Sequence, residues 1–377
     1  MTDDRLARMG LAAAHDAGDQ VLVKLVREQG AGEVWDYIRS GRGQTELAKR
    51  AAGVDLDEIR RQTEASGSRF LVPGDEEWPA GVADLAWSDP VNGFGGEPLG
   101  LWVLGKLRLD QMAASVAIIG SRASTAYGEH VATDWASGVA EQGYVIVSGG
   151  AYGIDACAHR GAVAAGGQTV AIMAGGLRQF YPTGNAALIR RIAEAGAIVC
   201  EYPPDQPPSR TRFLVRNRLI AALSKVTLIV EGAMRSGAQN TVSWALSMQR
   251  PVLAVPGPVT SAMSVTPHRL IRNGQAVLAS CLDDVLAALR PFDSSIPDYQ
   301  REQPTVLDSL TPEQRQIQEA LSARRSLNVD ELVALTGQPV VSLMVGLGYL
   351  RQAGLAVETS PSQWRAVPKP KNSRGDK

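Results

Sequence analysis

The chain has 377 residues, 45% hydrophobic and 20% charged, with a net charge of −1. That length holds a core of about 200 residues with smaller modules on either side, and the composition excludes a disordered or fibrous chain. No run approaches the roughly 20 apolar residues of a membrane span, and the start "MTDDRLARMG" leads into no secretory apolar core. The three cysteines, Cys157, Cys200 and Cys281, lie far apart without a CxxC pair, so inert thiols, a cytoplasmic location and no membrane partner are expected.

Short helical patterns come first, "DQVLVKLVREQGAGEVWDYIRS" and "QTELAKRAAG". They predict a small helical module over 1–60, for which a SAM-like arrangement is one candidate. From 101 to 290 short apolar runs recur: "VAIIG" (116–120), "YVIVSG" (144–149), "TVAIMAG" (169–175), "AIVCEYP" (197–203), "KVTLIVEG" (225–232) and "PVLAVPG" (251–257). Continuous apolar runs separated by helical stretches are the mark of parallel strands buried on both faces. The expected fold class is therefore α/β, an extended Rossmann-like sheet of about six parallel strands over 61–290, with "LWVLGK" (101–106) as a candidate edge strand. A polar, proline-broken linker is expected at 291–305. Three short helices and a hairpin over 306–367 predict a winged helix, and 368–377 reads as a disordered basic tail. The third of these helices offers only Arg351, and residues 311–366 carry five arginines against five acids; both protein contacts and DNA contacts stay open for this module.

Ligands of a parallel sheet collect beyond the carboxyl ends of its strands, where helix N–H groups favour an anion. Four stretches converge there: "GSRAS" (120–124), "SGGAYGID" (148–155), "AGGLRQFYPTGN" (174–185) and "EGAMRSGAQNT" (231–241). In the first, Gly120 and Ser121 make the turn and Arg122 offers a five-donor fork suited to phosphate. In the second, Ser148 is a hydrogen-bonding group, and Gly149, Gly150 and Gly153 let the backbone approach a ligand or pack against a helix. Asp155 is expected to cap or begin a helix over 155–166, and His159 to pack inside it. Residues 178–225 hold seven arginines and one lysine against three acids. Arg178 adds charge to the third stretch, and "RTRFLVRNRLI" (210–220) supplies Arg212, Arg216 and Arg218, with Asn217 able to reach a base edge or sugar. Phe180 and Tyr181 suit either base stacking or core packing.

No GxxxxGK[ST], full GxGxxG, HExxH or nucleophile–base pair is present. Phosphate features without visible catalytic machinery favour a nucleic-acid binder over an enzyme, with no cofactor and no metal.

The ordered segments "VAIIGSR", "SGGAYGIDACAH", "TVAIMAGGLRQFYPTGN", "EYPP", "FLVRNRLIAALS", "VEGAMRSGAQNTVSWAL" and "PVLAVPGP" closely resemble the DNA-processing protein A family, DprA/Smf, over about 70–290. The resemblance implies an extended Rossmann domain that binds and protects single-stranded DNA, commonly as a homodimer, and helps load the RecA recombinase during natural transformation. It implies that Arg122, Ser148 with its neighbouring glycines, Arg216, Asn217 and Arg218 line a positive DNA pocket. The chain departs from the family's pattern at Tyr152, at Arg178 and at Thr266–Pro267–His268. The runner-up is a phosphoribohydrolase-like nucleotide-processing enzyme on a related sheet, although "EGAMRSGAQNT" lacks the PGGxGTxxE stretch of that class; a purely structural adaptor is a third.

Overall fold

The computed structural model describes residues 2–41, 45–112, 114–290 and 309–367; the expected linker 291–305 and tail 368–377 lie outside them. The chain divides between residues 295 and 296 into two compact units.

Five helices open the first unit, α1 to α5 (Asp4–Ala14, Gln20–Gln29, Ala31–Arg39, Glu46–Ala52 and Leu56–Ala65). Four of them start on an Asp or Thr whose side chain accepts from a free helix N–H, at Asp3, Asp19, Thr45 and Asp55. They share a core around Leu11, Val34 and Trp35. Met9, Ala12 and Ile59 pack with Phe70, Trp102 and Ile198 in a second cluster, so the helices lie within the same compact unit as the sheet.

The strands are β1 (Arg69–Leu71), β2 (Leu101–Gly105), β3 (Ser115–Ile119), β4 (Val145–Ser148), β5 (Thr169–Ile172), β6 (Ala197–Cys200), β7 (Val226–Ile229), β8 (Val252–Ala254) and β9 (Val277–Leu278). Between them run α6 (Ala126–Glu141), α7 (Ile154–Ala164), α8 (Ala186–Ala195), α9 (Arg210–Ala222), α10 (Ala238–Ser247) and α11 (Val265–Arg272), with α12 (Leu282–Leu289) after β9. The sheet order is β1-β2-β6-β5-β4-β3-β7-β8-β9. Pairings from β6 through β9 are parallel, while β2 runs antiparallel to β6 and β1 antiparallel to β2.

Residues 101–105 are thus one strand in from the edge, because Arg69–Leu71 pairs along their outer side. Nor does the parallel part stop at the six apolar runs: β9 adds a seventh strand that carries no such run, its two residues being exposed on the border. Burial on both faces explains the continuous runs. Val116 and Ile118 face the helices α6 and α7, and Ala117 and Ile119 face α9 and α10.

The second unit runs α13 (Pro312–Ala320), β10 (Leu327–Asn328), α14 (Val329–Thr336), α15 (Val340–Gln352), β11 (Ala356–Ser360) and β12 (Gln363–Ala366), with sheet order β10-β12-β11. Helix, strand, helix, helix and hairpin is the element order expected of a winged helix. Leu332, Leu343, Leu347 and Trp364 fill its core. Among the described residues no single helix is long and apolar enough to cross a membrane.

Candidate functional site

From β3 the chain proceeds through β4 and β5 to β6 on one side, and then crosses to β7 on the other. The carboxyl ends of β3 and β7 therefore border the switch point of the sheet, where an open α/β sheet leaves a crevice. A cleft of about 620 Å³ occupies it, walled by 119–123, by Ala151 and Asp155, by one side of α9 and by 233–241 with the amino end of α10. Four arginines line it, Arg122, Arg210, Arg216 and Arg235, against the single carboxylate of Asp155.

The floor is a knot of backbone and charge. Gly153 adopts φ +74°, and a Cβ there would stand 2.2 Å from the Ser121 carbonyl oxygen, so only glycine lets the turn after β4 pass beneath the turn after β3. The Ile154 N–H then donates to that same carbonyl at 3.1 Å, which fixes the Gly120–Arg122 turn. Gly149 is held at both ends: its N–H donates to Asp155 Oδ2 at 3.2 Å and its carbonyl accepts from Arg216 Nη1 at 2.8 Å. Arg216 also donates to the Ile172 carbonyl, and Asn185 Nδ2 donates to the Gly150 and Ala151 carbonyls.

Asp155 does not cap its helix. Helix α7 begins at Ile154 with Gly153 as its N-cap, and the carboxylate turns back to the N–H groups of Gly149 and Ala151. Burial pushes this carboxyl above the usual range, with Arg216 opposing the shift, and burial lowers the Arg216 guanidinium to about 10. At about 10 the Arg216 guanidinium is still charged near neutrality, and further arginines add to its charge around the cleft.

Those arginines stand on the rim. Arg122, Arg210 and Arg235 are exposed, and none is in an ion pair among the described residues. Arg122 lies 5.1 Å from the Phe213 ring centroid, a cation–π contact between two residues that both line the cleft. Arg210 and Arg235 were absent from the residues singled out in the sequence. Arg235 sits in the "EGAMRSGAQNT" turn after β7, and Arg210 opens the basic segment, so strand-end position was the signal for the first and local charge for the second.

Several expected residues are engaged by the fold itself. Ser148 is fully buried and donates to the Ile118 carbonyl at 2.7 Å, joining β4 to β3. Asn217 lines the cleft, but its amide donates to Asn240 Oδ1 and the Gly237 carbonyl, tying α9 to α10. Arg218, two residues from Arg216 on the helix, points away from the cleft; it is fully buried and ion-paired with Glu201 at 2.5 Å. Arg212 pairs with Asp16 at 2.7 Å and covers the Tyr202 ring. Arg178 pairs with Asp205 and lines a separate cleft of about 520 Å³ with Phe180 and Arg190. Of the three pairs only Arg218–Glu201 is fully buried, while Arg178 stays exposed in its pair with Asp205. The sequence also missed Glu231, which accepts from the N–H and hydroxyl of Thr125 and so anchors the start of α6 beside the cleft. His159 is fully buried, bonded to Thr169 Oγ1 at 2.7 Å, and burial lowers it to about 3. It stays neutral. No group of three or more metal-ligating side chains occurs among the described residues.

The protein is thus an open doubly wound α/β sheet whose switch-point crevice is rimmed by arginines without ion pairs among the described residues. The chain belongs to the DNA recombination-mediator protein A family, whose model matches residues 69–290. It is 42% identical over 361 residues to a DprA relative of Mycobacterium tuberculosis, covering 92% of this chain and 90% of that one. The Smf protein of Escherichia coli is 36% identical over 68% of this chain and 67% of its own length. Among solved structures, DNA processing protein A of Streptococcus pneumoniae superposes with a TM-score of 0.65 at 29% identity, covering 76% of this chain and 98% of that one. That of Helicobacter pylori, described for its single-stranded DNA binding mode, gives 0.51 at 30%, covering 59% and 97%. The family and the α/β fold read from the ordered motifs are thereby shown.

Proposed function

We propose that the protein binds single-stranded DNA in the cleft between the carboxyl ends of β3 and β7, without strong sequence preference. The observation that carries the reading is the trio Arg122, Arg210 and Arg235, exposed around one cleft without ion pairs among the described residues. Phosphates recur along any strand, so guanidinium contacts give affinity without sequence information. The binding described for the Helicobacter pylori relative supports the choice of ligand. Arg216 and Asp155 hold the glycine turn against which the strand lies, and Gly120, Ser121, Gly149, Gly150 and Gly153 shape it.

On this reading the protein protects transforming DNA and helps load RecA, acts as a homodimer, and works by binding with no catalytic step. The C-terminal unit, with zero net charge over 311–366, serves protein contacts. Anisotropy of a labelled oligonucleotide across salt tests the primary claim. Three or four neutralised phosphates give a log K against log salt slope of about −2 to −3. Absence of binding, or tight binding indifferent to salt, would overturn it.

A further inference from the structure

Phe213, Tyr181 and Tyr152 lie on one edge of the sheet. Tyr152 follows β4, Tyr181 follows β5, and Phe213 stands near the start of α9 after β6. Phe213 is already engaged: the Arg122 guanidinium lies 5.1 Å from its centroid and the Tyr181 ring 5.7 Å away, tilted by 56°. The two tyrosines are different, being 49% and 48% exposed. They share one surface, because the Tyr152 hydroxyl lies against Gly184, where a Cβ would come within 2.6 Å of it, three residues from Tyr181. Two residues beyond Tyr181, Thr183 enters the wall of the second cleft, with Arg178 and Arg190.

A single exposed aromatic on a surface needs no explanation. Two tyrosines on adjoining turns, leading from a cationic cleft to a second cleft that also carries arginine, do. We propose that Tyr152 and Tyr181 form an aromatic step on which unstacked nucleobases rest as the strand leaves the arginine cleft, directing it toward Arg190. The inference rests on the proposed DNA-binding reading and adds to it the means of telling single strands from duplex. Every nucleobase has a π-face, so stacking is tolerant of sequence; in a duplex those faces are already covered by neighbouring base pairs. Arginines alone attract both forms. Neighbouring strands are about 4.8 Å apart, so a step on the turns after β4 and β5 suits one or two bases.

The test uses the full chain and its Tyr152→Ala, Tyr181→Ala and double Ala variants, with the corresponding Phe variants to keep the ring and the fold. Each is titrated with labelled oligothymidine, with an abasic strand of equal length and with duplex, at several salt concentrations, and thermal melting is followed alongside. The expected result is a loss of about five- to a hundredfold per removed ring on oligothymidine. The Phe variants should bind like the parent, the abasic strand should be insensitive to the ring, and the salt slope should be unchanged. Parent binding with the double Ala variant within twofold overturns the step and leaves the arginine cleft standing. A loss that flattens the salt slope, or that appears equally on abasic strand or duplex, also overturns it, because the tyrosines would then act through the arginines. If the parent binds no single strand, the functional reading itself fails.

Discussion

Arg216 and Arg218 stand two positions apart on α9, and the structure assigns them opposite tasks that one pair of substitutions separates. In Arg218→Met the buried carboxylate of Glu201 loses its partner, the two side chains being 1% and 3% exposed. Breaking a buried pair on one side destabilises by about 3–5 kcal/mol, a large part of the roughly 5–15 kcal/mol that holds a domain folded. Urea unfolding should therefore show a markedly lower midpoint for Arg218→Met and recovery of most of it in Glu201→Gln with Arg218→Met, where no buried charge remains. Burial raises the Glu201 carboxyl and Arg218 opposes that rise, so removing the arginine raises it further. A native carboxyl that holds its proton above the ordinary range of about 4.3 binds more protons than the unfolded chain, and stability then climbs as pH falls. The deficit of Arg218→Met should accordingly shrink toward acid pH. Folded Arg218→Met should bind single-stranded DNA within twofold of the parent. If it instead melts like the parent and loses DNA affinity with a slope shallower by about 0.7, Arg218 faces the ligand and the two arginines of α9 share one task.

Three further outcomes follow from the same geometry. Arg122→Ala, Arg210→Ala and Arg235→Ala should each lower single-strand affinity about tenfold or more and flatten the salt slope by about 0.7 per lost phosphate, whereas Arg178→Ala, paired with Asp205 outside the main cleft, should leave the slope of that cleft intact. Gly150 and Gly153 both have positive φ, but a Cβ at Gly150 would meet only Met173 Sδ at 3.7 Å. Gly150→Ala should thus cost about 1–2 kcal/mol of conformational strain with the turn kept, while Gly153→Ala, driven into the Ser121 carbonyl, should displace the Arg122 turn and lower both melting temperature and DNA affinity. His159 titrates at about 3 in the folded protein, against an ordinary value of 6.5. Between these values the unfolded chain takes up a proton that the native state does not, so stability should fall with pH by about 1.4 kcal/mol per unit; His159→Gln should remove that part of the slope in pH-dependent denaturation, and an unchanged slope would refute the buried neutral ring.

The sheet was legible because its strands are buried on both faces, which leaves runs such as "VAIIG" and "TVAIMAG" without a polar interruption. β9 was not, because two exposed border residues carry no such pattern. The cleft was half legible. Strand-end turns located Gly120, Arg122 and the 148–155 glycines, and α9 stood out by charge. Which arginines remain available depends on partners distant in sequence: Asp16 lies 196 residues from Arg212, and Asp205 lies 27 from Arg178. Residues two apart on a helix are about 200° apart around it, so Arg216 and Arg218 were bound to diverge. Which of them would meet the cleft turned on where Gly149 and Glu201 fall in the folded chain, and no local pattern records that.

Segmental charge and site charge are consequently different quantities here. Of the seven arginines in 178–225, Arg178, Arg212 and Arg218 are ion-paired with carboxylates, and only Arg210 and Arg216 reach the main cleft. Arg122 and Arg235 come from outside the segment, delivered by the turns after β3 and β7. An anion entering the crevice therefore meets positive charge from both sides of the switch point, with the Asp155 carboxylate below fastened to backbone N–H groups. Because the two sides belong to strands adjacent in the sheet but 110 residues apart in sequence at the Val116–Val226 and Ala117–Thr227 pairings, the basic character of the site is set by the parallel pairing of β3 with β7. A substitution that loosened that pairing would dissolve the cleft's field without removing a single arginine.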